Sequence, residues 1–566
     1  MAGAGVGKRV VIVGGVAGGA SAAARLRRLD ETADITMFER GPDVSFANCG
    51  LPYHVGDVIA DERSLLLADP ELFRTRFRID VRTHTEVTRI DRERRVVQTR
   101  DVRTGETAEW PWDALVLAPG ATPIRPPLPG LELPGVFVVR SIPDTRAIRL
   151  WIERADRVGG QKAVVIGGGF IGLEMAENLT HRGLVVTIVE KAPQVMPPLD
   201  RDVALRVGEH LTTHGVTLRL SEGVSAIESV AGERLLVKTA AGSAIEADLV
   251  ILAIGVRPET TLARDAGIAL GAFGGVVVDA SMRTSAPGIW AVGDVVENYD
   301  VVLERPTLMP LAGPGNRQGR VAAASIAGRE GHVASFRGIQ GTAIVGVFGM
   351  MVATTGASEK GLTRAGRTDF DVVHLHPGSH AGYYPGAKPI HLKLIFETPS
   401  GRVLGAQAVG ADGVDKRIDV IAMALQLGAT VFDLAEAELC YAPQFGAAKD
   451  PVNVAGMMAA NVLNGDMPQA TWSELAGADP AQVTLLDVRQ PEEFARGHVP
   501  GALLMPLPTL RQAFETLDRR RPILVYCAGG QRAYYAQRFL LQQGFEVRSL
   551  SGGWLTYVAN RESPAP

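Results

Sequence analysis

Cysteine is scarce in this chain. Only Cys49, Cys440 and Cys527 occur among 566 residues, and they lie far apart in sequence. Three thiols are too few for a disulfide framework. In a reducing compartment a cysteine is more often buried, catalytic or redox-active than structural. Cys49 and Cys527 are therefore candidates for chemistry, whereas we assign no role to Cys440.

Long apolar runs and an excess of basic charge are also missing. No run approaches the ~20 apolar residues that cross a bilayer, and the N-terminal MAGAGVG lacks the apolar segment of a signal peptide. We therefore expect a cytoplasmic protein with no membrane contact. The formal net charge is −4, which argues against nucleic acid as a partner. The length predicts three or four domains.

Two segments share one pattern, from Lys8 to Arg40 and from Gln161 to Lys191. Each reads as a buried strand, a glycine turn, a helix and a second strand that ends in a carboxylate. This is the βαβ pattern of dinucleotide-binding folds, and it predicts two Rossmann-like domains. WDALVLAPGATP and ADLVILAIGVRP are further strand-then-glycine segments of the kind that link such domains.

The glycine turns identify two cofactor sites. A pyrophosphate requires backbone N–H groups at close range, which a Cβ would block. The second turn is a full G-x-G-x-x-G, and Glu190 after it favours NADH over NADPH, although the adjacent Lys191 weakens that preference. The first turn has Val16 at the middle glycine position, and Glu39 is its ribose acceptor. The remaining turn glycines are Gly14, Gly15, Gly18 and Gly19 in the first copy and Gly167, Gly169 and Gly172 in the second.

Two nucleotide sites predict two cofactors, FAD and NADH. Asp294, in the sequence AVGD, is a candidate for the flavin ribityl hydroxyls, and its alternative role is a helix N-cap. Arg40, beside Glu39, and Gly255, in AIGV, complete the predicted cofactor-binding residues.

Cys49 lies in SFANCGLPY, ten residues after Glu39, which places it within reach of the isoalloxazine ring. Gly50 and Pro52 constrain its backbone. A thiol beside a flavin or at a helix N-terminus has a lowered pKa and reacts as the thiolate. The alternative is a buried structural cysteine. Because no second cysteine lies nearby, we expect one sulfur atom both to receive flavin electrons and to attack a disulfide or sulfane sulfur.

A cluster of histidines follows in sequence, at positions 374, 376, 380 and 391. Alternate histidines on a strand can bind a metal ion. No carboxylate or cysteine completes a ligand set around them, so we predict no metal site.

Several motifs resemble the coenzyme A-disulfide reductases, which form the single-cysteine branch of the pyridine nucleotide–disulfide oxidoreductases. They are SFANCGLP, GGVAGG, PLAGPGNRQGR, YYPGAK and LCYAPQF, and the resemblance covers residues 8–465. The tail, with LLDVRQPEEFARGHVPGALLMPL and YCAGGQRAY, resembles a rhodanese domain. The whole chain is similar to the fused NADH-dependent persulfide and polysulfide reductases.

The resemblance implies that Cys49 is the redox-active cysteine and that the enzyme is a homodimer. Tyr383 and Tyr441 match two tyrosines that approach the bound sulfur from the neighbouring subunit; Tyr384 could replace Tyr383, and simple interface packing is the alternative. For Arg25 and Arg28 the alternative is a charged surface shared with Asp30 and Glu31. The residues that match the coenzyme A pocket are Ser21, Arg25, Arg28, Ser45, Asn48 and Lys449.

In the rhodanese-like tail, Cys527 begins a six-residue loop that ends at Arg532. Such a loop aims backbone N–H groups at the sulfur and stabilises a thiolate or persulfide anion. Asp487 and Arg489 are expected to support the fold. The alternative is a domain used only for docking.

The predicted fold is therefore α/β, with two Rossmann-like domains, an α+β dimerisation domain and an α/β rhodanese domain. The predicted activity is FAD-dependent reduction of coenzyme A persulfide, polysulfide or coenzyme A disulfide by NADH. The rivals are an NADH oxidase or peroxidase with a Cys49 sulfenic acid, and a redox-sensing sulfur-trafficking protein with little NADH turnover. The predicted segments are 1–125 and 246–335 for FAD, 126–245 for NADH, 336–465 for dimerisation, 466–471 as linker and 472–566 as rhodanese domain.

Overall fold

The computed structural model describes residues 7–154, 161–230, 234–329, 335–477, 479 and 481–560. The chain divides into two compact units. The first consists of Met1–Pro193 and Gly215–Ile339, and the second of Gln194–His214 and Gln340–Pro566.

A five-stranded parallel sheet carries the first glycine turn. Its central strand, Arg9–Val13, is a run of β-branched residues that is buried almost throughout, as in parallel sheets covered on both faces. The helix Ala17–Leu29 follows the turn and packs against Ala312–Ile326. In spatial order the strands are Ile289–Ala291, Ala114–Leu117, Arg9–Val13, Asp34–Phe38 and Asp80–Arg82.

A second parallel sheet carries the second turn and the helix Phe170–His181. Leu249–Leu252 pairs with Lys162–Ile166 in this sheet, although the sequence assigned residues from 246 onward to the FAD-binding segment. That boundary therefore lies after residue 252, because strand pairing places the strand with the second nucleotide motif. The strands in spatial order are Thr217–Arg219, Val185–Val189, Lys162–Ile166, Leu249–Leu252 and Val136–Phe137.

Smaller elements complete the first unit. The antiparallel strands are Thr85–Asp91, Val96–Asp101 and Thr107–Pro111 in one sheet, Val224–Val230, Arg234–Thr239 and Ala244–Ala247 in another, and the pairs Ala121–Pro123 with Val256–Pro258 and Asn298–Asp300 with Arg305–Thr307. The remaining helices are Asn48–Gly50, Leu51–Val55, Glu62–Leu65, Pro70–Phe77, Ile142–Ile152 and Thr261–Asp265.

The second unit contains a five-stranded antiparallel sheet within the predicted α+β dimerisation segment. Ile390–Glu397 and Val403–Gly410 are buried at nearly every position, rather than at alternate ones, because helices pack against this sheet. The strands in spatial order are Ala343–Val347, Met350–Gly356, Val403–Gly410, Ile390–Glu397 and Phe370–Leu375. The helices are Arg201–Thr213, Glu359–Arg364, Val414–Gln426, Val431–Glu436 and Pro451–Leu463.

The C-terminal part of this unit is a parallel sheet surrounded by helices. Gln469–Ala470, inside the predicted linker, forms its edge strand by pairing with Val547–Leu550. The strands in spatial order are Gln469–Ala470, Val547–Leu550, Ile523–Tyr526, Thr484–Asp487 and Leu503–Leu504. The helices are Trp472–Gly477, Pro491–Arg496, Leu507–Ala513, Phe514–Thr516, Gln531–Gln542 and Gly553–Asn560. Across the described part of both units, every helix is too short or too polar to span a membrane.

A buried ion pair fixes the helix Pro451–Leu463. Arg417 donates to both oxygens of Asp450 at 3.2 and 2.8 Å, and Asp450 also caps the helix through Val452 N at 3.1 Å. We expect Asp450→Ala to lower the free energy of unfolding by about 3–5 kcal/mol, because it leaves a buried guanidinium unpaired. Urea denaturation followed by circular dichroism measures this. Asp518→Ala, which breaks an exposed pair with Arg520, is the control and should leave the midpoint unchanged; equal effects of the two variants would contradict the prediction.

Candidate functional site

The two glycine turns have the same geometry. Gly14 has φ +97°, and a methyl group built on it would lie 2.0 Å from the carbonyl oxygen of Ala118. Gly167 has φ +107°, and the corresponding distance to the oxygen of Ala253 is 2.4 Å. Only glycine combines this left-handed backbone with so close an approach. Each turn therefore brings the start of its helix against the end of a neighbouring strand.

The middle position of the motif explains why Val16 is tolerated. Val16 and Gly169 both precede a helix as N-cap residues, with φ −100° and −84°. A methyl group on Gly169 would meet no atom of the chain within 4 Å. The protein backbone itself therefore does not require glycine at this position.

The carboxylates of Glu39 and Glu190 hold the turns in the same manner. Glu39 accepts from Gly15 N at 3.0 Å and Gly41 N at 2.8 Å. Glu190 accepts from Gly168 N and Ala192 N, both at 2.7 Å. An ionised carboxylate has lone pairs beyond these two bonds, so each can also accept from a ribose hydroxyl. Arg40 beside Glu39 is exposed, and Gly255 has φ +100°.

The residues present therefore fit two dinucleotides. Each turn offers backbone N–H groups at a helix start, glycines at its first two positions and a carboxylate at the end of the next strand. The predicted contacts with FAD and NADH at these residues remain predictions.

Asp294 lies in a turn after the strand Ile289–Ala291, half-buried. Burial raises the pKa of its carboxyl group, and Arg140 opposes that shift. The alternative role as a helix N-cap is wrong, because the next helix begins only at Ala312. The carboxyl group of Asp294 therefore does not cap a helix.

Cys49 is a free, exposed thiol in the single turn Asn48–Gly50, directly before the helix Leu51–Val55. A methyl group on Gly50 would lie 2.6 Å from Leu65 Cδ2, so a larger residue there would displace the Leu65 side chain. The amide of Asn48 donates to Phe46 O at 3.1 Å and accepts from Arg140 at 2.6 Å. The exposure of Cys49 contradicts the alternative of a buried structural cysteine.

The groups around Cys49 raise the pKa of its thiol. Desolvation by the surrounding protein is the largest cause, and the carboxyl groups of Glu174 and Asp294 add to it. The lowered pKa that the sequence predicted is therefore wrong for the groups that the chain itself supplies. A cationic partner, which would lower the pKa, is not among the causes.

Sequence reasoning missed Glu174 and Tyr53. The Tyr53 hydroxyl donates to Glu174 Oε1 at 3.2 Å. Burial raises the pKa of Glu174 to about 7, against the opposing effect of this hydrogen bond. Glu174 lies in IGLEMA, five residues after Gly169, so its proximity to Cys49 had no signal in either motif alone.

Arginines gather near the predicted coenzyme A residues of the first unit. Burial lowers the pKa of Arg25, and the charges of Arg320, Arg28 and Arg329 lower it further. Ser21, on the same helix as Arg25, donates to Asn316 at 2.5 Å. Four guanidinium groups that repel one another favour a polyanion between them.

The carboxylates expected to share this surface are engaged elsewhere. Asp30 accepts from Thr32, and Glu31 pairs with Arg78 at 3.1 Å. In the described part of the chain, Arg25 and Arg28 have no ion pair. Ser45, near Cys49, has a left-handed backbone with φ +48°. Such a conformation is uncommon outside glycine.

In the second unit, the hydroxyls of Tyr383 and Tyr441 lie 2.7 Å apart, and both side chains are exposed. The hydrogen bond raises the pKa of Tyr383. Tyr384 instead packs its ring against His380 at 5.6 Å, which favours Tyr383 as the partner of Tyr441. Lys449 is exposed, just before the helix Pro451–Leu463.

The predicted loop around Cys527 curls back on its own sulfur. Cys527 is buried, and its Sγ accepts from Gly530 N at 3.1 Å. Arg532 pairs with both oxygens of Glu493, at 2.6 and 2.7 Å. Asp487 and Arg489 form a buried pair at 2.7 Å, in keeping with the structural role expected of them.

Residues 8–331 match the family model described as pyridine nucleotide-disulphide oxidoreductase. The chain belongs to this family. The dimerisation domain of the same family matches residues 342–450, and a rhodanese-like domain matches residues 469–560. The predicted fold class is thereby confirmed.

Members of the pyridine nucleotide-disulphide oxidoreductase family resemble the chain over most of its length. Coenzyme A disulfide reductase of Staphylococcus epidermidis is 36% identical over 80% of this chain and 99% of its own. Reduced Bacillus anthracis CoADR-RHD is 44% identical, with a TM-score of 0.95 and 98% of each chain covered. The NAD-dependent persulfide reductase of A. fulgidus is 38% identical, with a TM-score of 0.89, and covers 97% of this chain and 100% of its own.

The charge of Glu174 should control the Cys49 thiol. We expect Glu174→Gln to shift the pH dependence of Cys49 alkylation to lower pH, because a neutral amide no longer opposes the thiolate. Alkylation of the holoenzyme by iodoacetamide, followed by mass spectrometry of the Cys49 peptide, measures the shift. Glu71→Gln, at an exposed pair with Arg74, is the control. An unchanged profile in Glu174→Gln would show that the two groups do not interact.

Proposed function

We propose that this protein is an FAD-dependent enzyme that uses NADH to reduce coenzyme A persulfide, polysulfide or coenzyme A disulfide through Cys49. One observation carries the proposal: a solitary exposed thiol lies in the same unit as two dinucleotide cradles, where the charges of Glu174 and Asp294 act on its pKa. The relatives named above support it, since one reduces coenzyme A disulfide and another persulfide by name.

The step at Cys49 is a thiol–disulfide exchange. The thiolate attacks one sulfur of coenzyme A disulfide, the sulfur–sulfur bond breaks, and one coenzyme A thiolate leaves while the other stays in a mixed disulfide with Cys49. With a persulfide, Cys49 either takes the outer sulfur or forms the mixed disulfide and releases sulfide. FAD, when bound, supplies the two electrons of NADH that return Cys49 to the thiolate.

The thiol must lose its proton before it attacks. Because the pKa of Glu174 is about 7, Glu174 is partly protonated at neutral pH. Its negative charge increases as the pH rises through 7 and disfavours the Cys49 thiolate, whose pKa is itself raised. The attack on the substrate disulfide therefore depends on the protonation of both groups.

The arginines around Arg25 suit the phosphates of coenzyme A. Guanidinium groups bind phosphate with two parallel hydrogen bonds. The predicted residues Ser21, Arg25, Arg28, Ser45 and Asn48 all belong to the first unit, and Arg320 and Arg329 extend the cationic set. Lys449 belongs to the second unit.

The tyrosine pair and the C-terminal domain complete the proposal. The enzyme is a homodimer in which Tyr383 and Tyr441 of one subunit donate a hydrogen bond to the departing sulfur in the other. The match to the family's dimerisation domain supports this arrangement. Cys527, held by Gly530 N–H, carries sulfane sulfur, and Arg532 closes its loop.

Cys49→Ser tests the central role of the thiol. We expect NADH oxidation with coenzyme A disulfide, coenzyme A persulfide or polysulfide to fall by at least about 1,000-fold, because serine is not a nucleophile toward sulfur. FAD absorbance should remain, since Cys49 does not hold the cofactor. Cys440→Ser is the matched control and should keep full activity.

Two results would favour the rival functions instead. Dioxygen consumption by the wild type that exceeds its reduction of sulfur substrates would indicate an NADH oxidase. Negligible NADH turnover with every substrate would indicate a redox sensor.

Arg28→Ala tests the phosphate site. We expect KM for coenzyme A disulfide to rise about tenfold, which is the loss of one charge-assisted hydrogen bond. KM for inorganic polysulfide, which carries no phosphate, should not change. Steady-state kinetics with both substrates measure the difference, and Arg63→Ala, at an exposed arginine paired with Asp61, is the control. An equal rise for both substrates would contradict phosphate recognition.

A further inference from the structure

The loop that carries Cys527 rests on the turn 551–555, which includes the start of the helix Gly553–Asn560. Trp554 N donates to Cys527 O at 2.8 Å, and Leu555 N donates to Ala528 O at 3.0 Å. Gly553 has φ +60°, and a methyl group on it would lie 2.4 Å from Cys527 O. The turn and the loop are thus in direct backbone contact, so a displacement of one displaces the other.

The same turn also contacts His376, which directly follows the strand Phe370–Leu375 of the antiparallel sheet in the second unit. His376 Nε2 lies 3.1 Å from both Gly552 O and Thr556 Oγ1. Its ring also borders the Cys527 loop, since a methyl group on Gly529 would lie 3.6 Å from His376 Cδ2.

Two further side chains hold this turn. His374 Nδ1 lies 2.9 Å from Ser551 Oγ, and its Nε2 donates to Asp202 at 2.7 Å. Arg206, on the helix Arg201–Thr213, donates to Leu555 O at 2.6 Å. The rhodanese-like domain is therefore anchored to the dimerisation domain at the segment that supports its cysteine loop.

The hydrogen bonds behind His376 have a fixed direction. Arg206 can only donate, so His391 Nε2, at 3.4 Å from it, accepts. A neutral His391 then carries its proton on Nδ1 and donates to His376 Nδ1 at 2.8 Å. His376 in turn carries its proton on Nε2 and donates to Gly552 O, which can only accept. The donor at Arg206 and the acceptor at Gly552 O therefore require the same pair of histidine tautomers.

Both imidazoles are neutral at physiological pH. Burial lowers the pKa of His391 to about 4, and the charge of Arg206 adds to this effect. Burial, with His391, Arg206 and His374 nearby, also lowers the pKa of His376. A second proton on either ring would place two donors against each other. His391 therefore carries its single proton on Nδ1, and His376 carries its single proton on Nε2.

We propose that His376, oriented by His391 and Arg206, is a positioning residue for the Cys527 loop. The series of hydrogen bonds from Arg206 through His391 and His376 to Gly552 O fixes the turn 551–555. The turn fixes the carbonyl groups of Cys527 and Ala528. The loop then keeps Gly530 N directed at the Cys527 sulfur. The inference rests on the proposed role of Cys527 as a sulfur carrier, and it adds that this role requires the dimerisation domain.

Two substitutions of His376 in the full-length holoenzyme test the proposal. His376→Leu removes the donor, whereas His376→Gln keeps an N–H near the position of Nε2. The control is His210→Leu, because His210 Nε2 lies 3.1 Å from Phe348 O in the same unit and makes that bond away from the cysteine loop. Sulfur transfer from thiosulfate to cyanide, which needs no NADH, and hydrogen exchange of Trp554, Leu555 and Gly530 amides are measured.

We expect His376→Leu to transfer sulfur about fivefold more slowly, as the loss of one hydrogen bond implies, and to exchange these amides faster. His376→Gln should stay within about twofold of the wild type, and His210→Leu should match it. Wild-type behaviour of His376→Leu in both measurements would overturn the proposal. A loss in His376→Gln as large as in His376→Leu would overturn the assignment to the hydrogen bond.

Two further results keep this test separate from the proposed function. If wild type and Cys527→Ser transfer sulfur equally, the role of Cys527 as a sulfur carrier fails, while amide exchange in His376→Leu still decides the positioning. If His376→Leu does not fold, His391→Phe removes the donor to His376 Nδ1 and leaves both His376 and the bond from Arg206 to Leu555 O in place. Faster exchange of the Leu555 amide in His391→Phe supports the proposal, and unchanged exchange contradicts it.

Discussion

The close approach of a glycine to the carbonyl group of a neighbouring strand sets the geometry of both nucleotide motifs. Gly14 against Ala118 and Gly167 against Ala253 leave no space for a side chain. Each helix can therefore begin close to the end of its strand, with glycine at the first positions of the turn. The carboxylates of Glu39 and Glu190 then bind the turn amides, so one arrangement serves in both copies.

This arrangement also determines where the thiol can lie. Cys49 follows the first motif by a few residues, and Gly50 allows its short helix to pack against Leu65. Burial, together with the carboxyl groups of Glu174 and Asp294, raises the pKa of the thiol, while the arginines of the same unit cluster around Arg25. Recognition of an anionic substrate and control of the thiol pKa are thus assigned to different groups of residues.

The sequence predicted the repeated motifs and the features that are encoded within short segments. The two glycine turns and the loop from Cys527 to Arg532 each carry their signal within a short segment. The pKa of Cys49 was predicted in the wrong direction, because burial of the thiol and the carboxyl groups of Glu174 and Asp294 depend on distant segments that only the fold brings near. The predicted boundary at residue 246 between the NADH-binding and FAD-binding segments was misplaced. Strand pairing, rather than composition, assigns Leu249–Leu252 to the sheet of the second nucleotide motif. No sequence pattern predicted the contact of His376 with Gly552, because the two residues belong to different domains.

The tyrosine pair has a consequence of its own. Two phenols 2.7 Å apart use a single proton in the bond between them, and either oxygen can be its donor. The second proton must then point outward, so the pair always offers one O–H to its surroundings. Rotation of the two hydroxyls exchanges which ring makes that offer, without any movement of the rings.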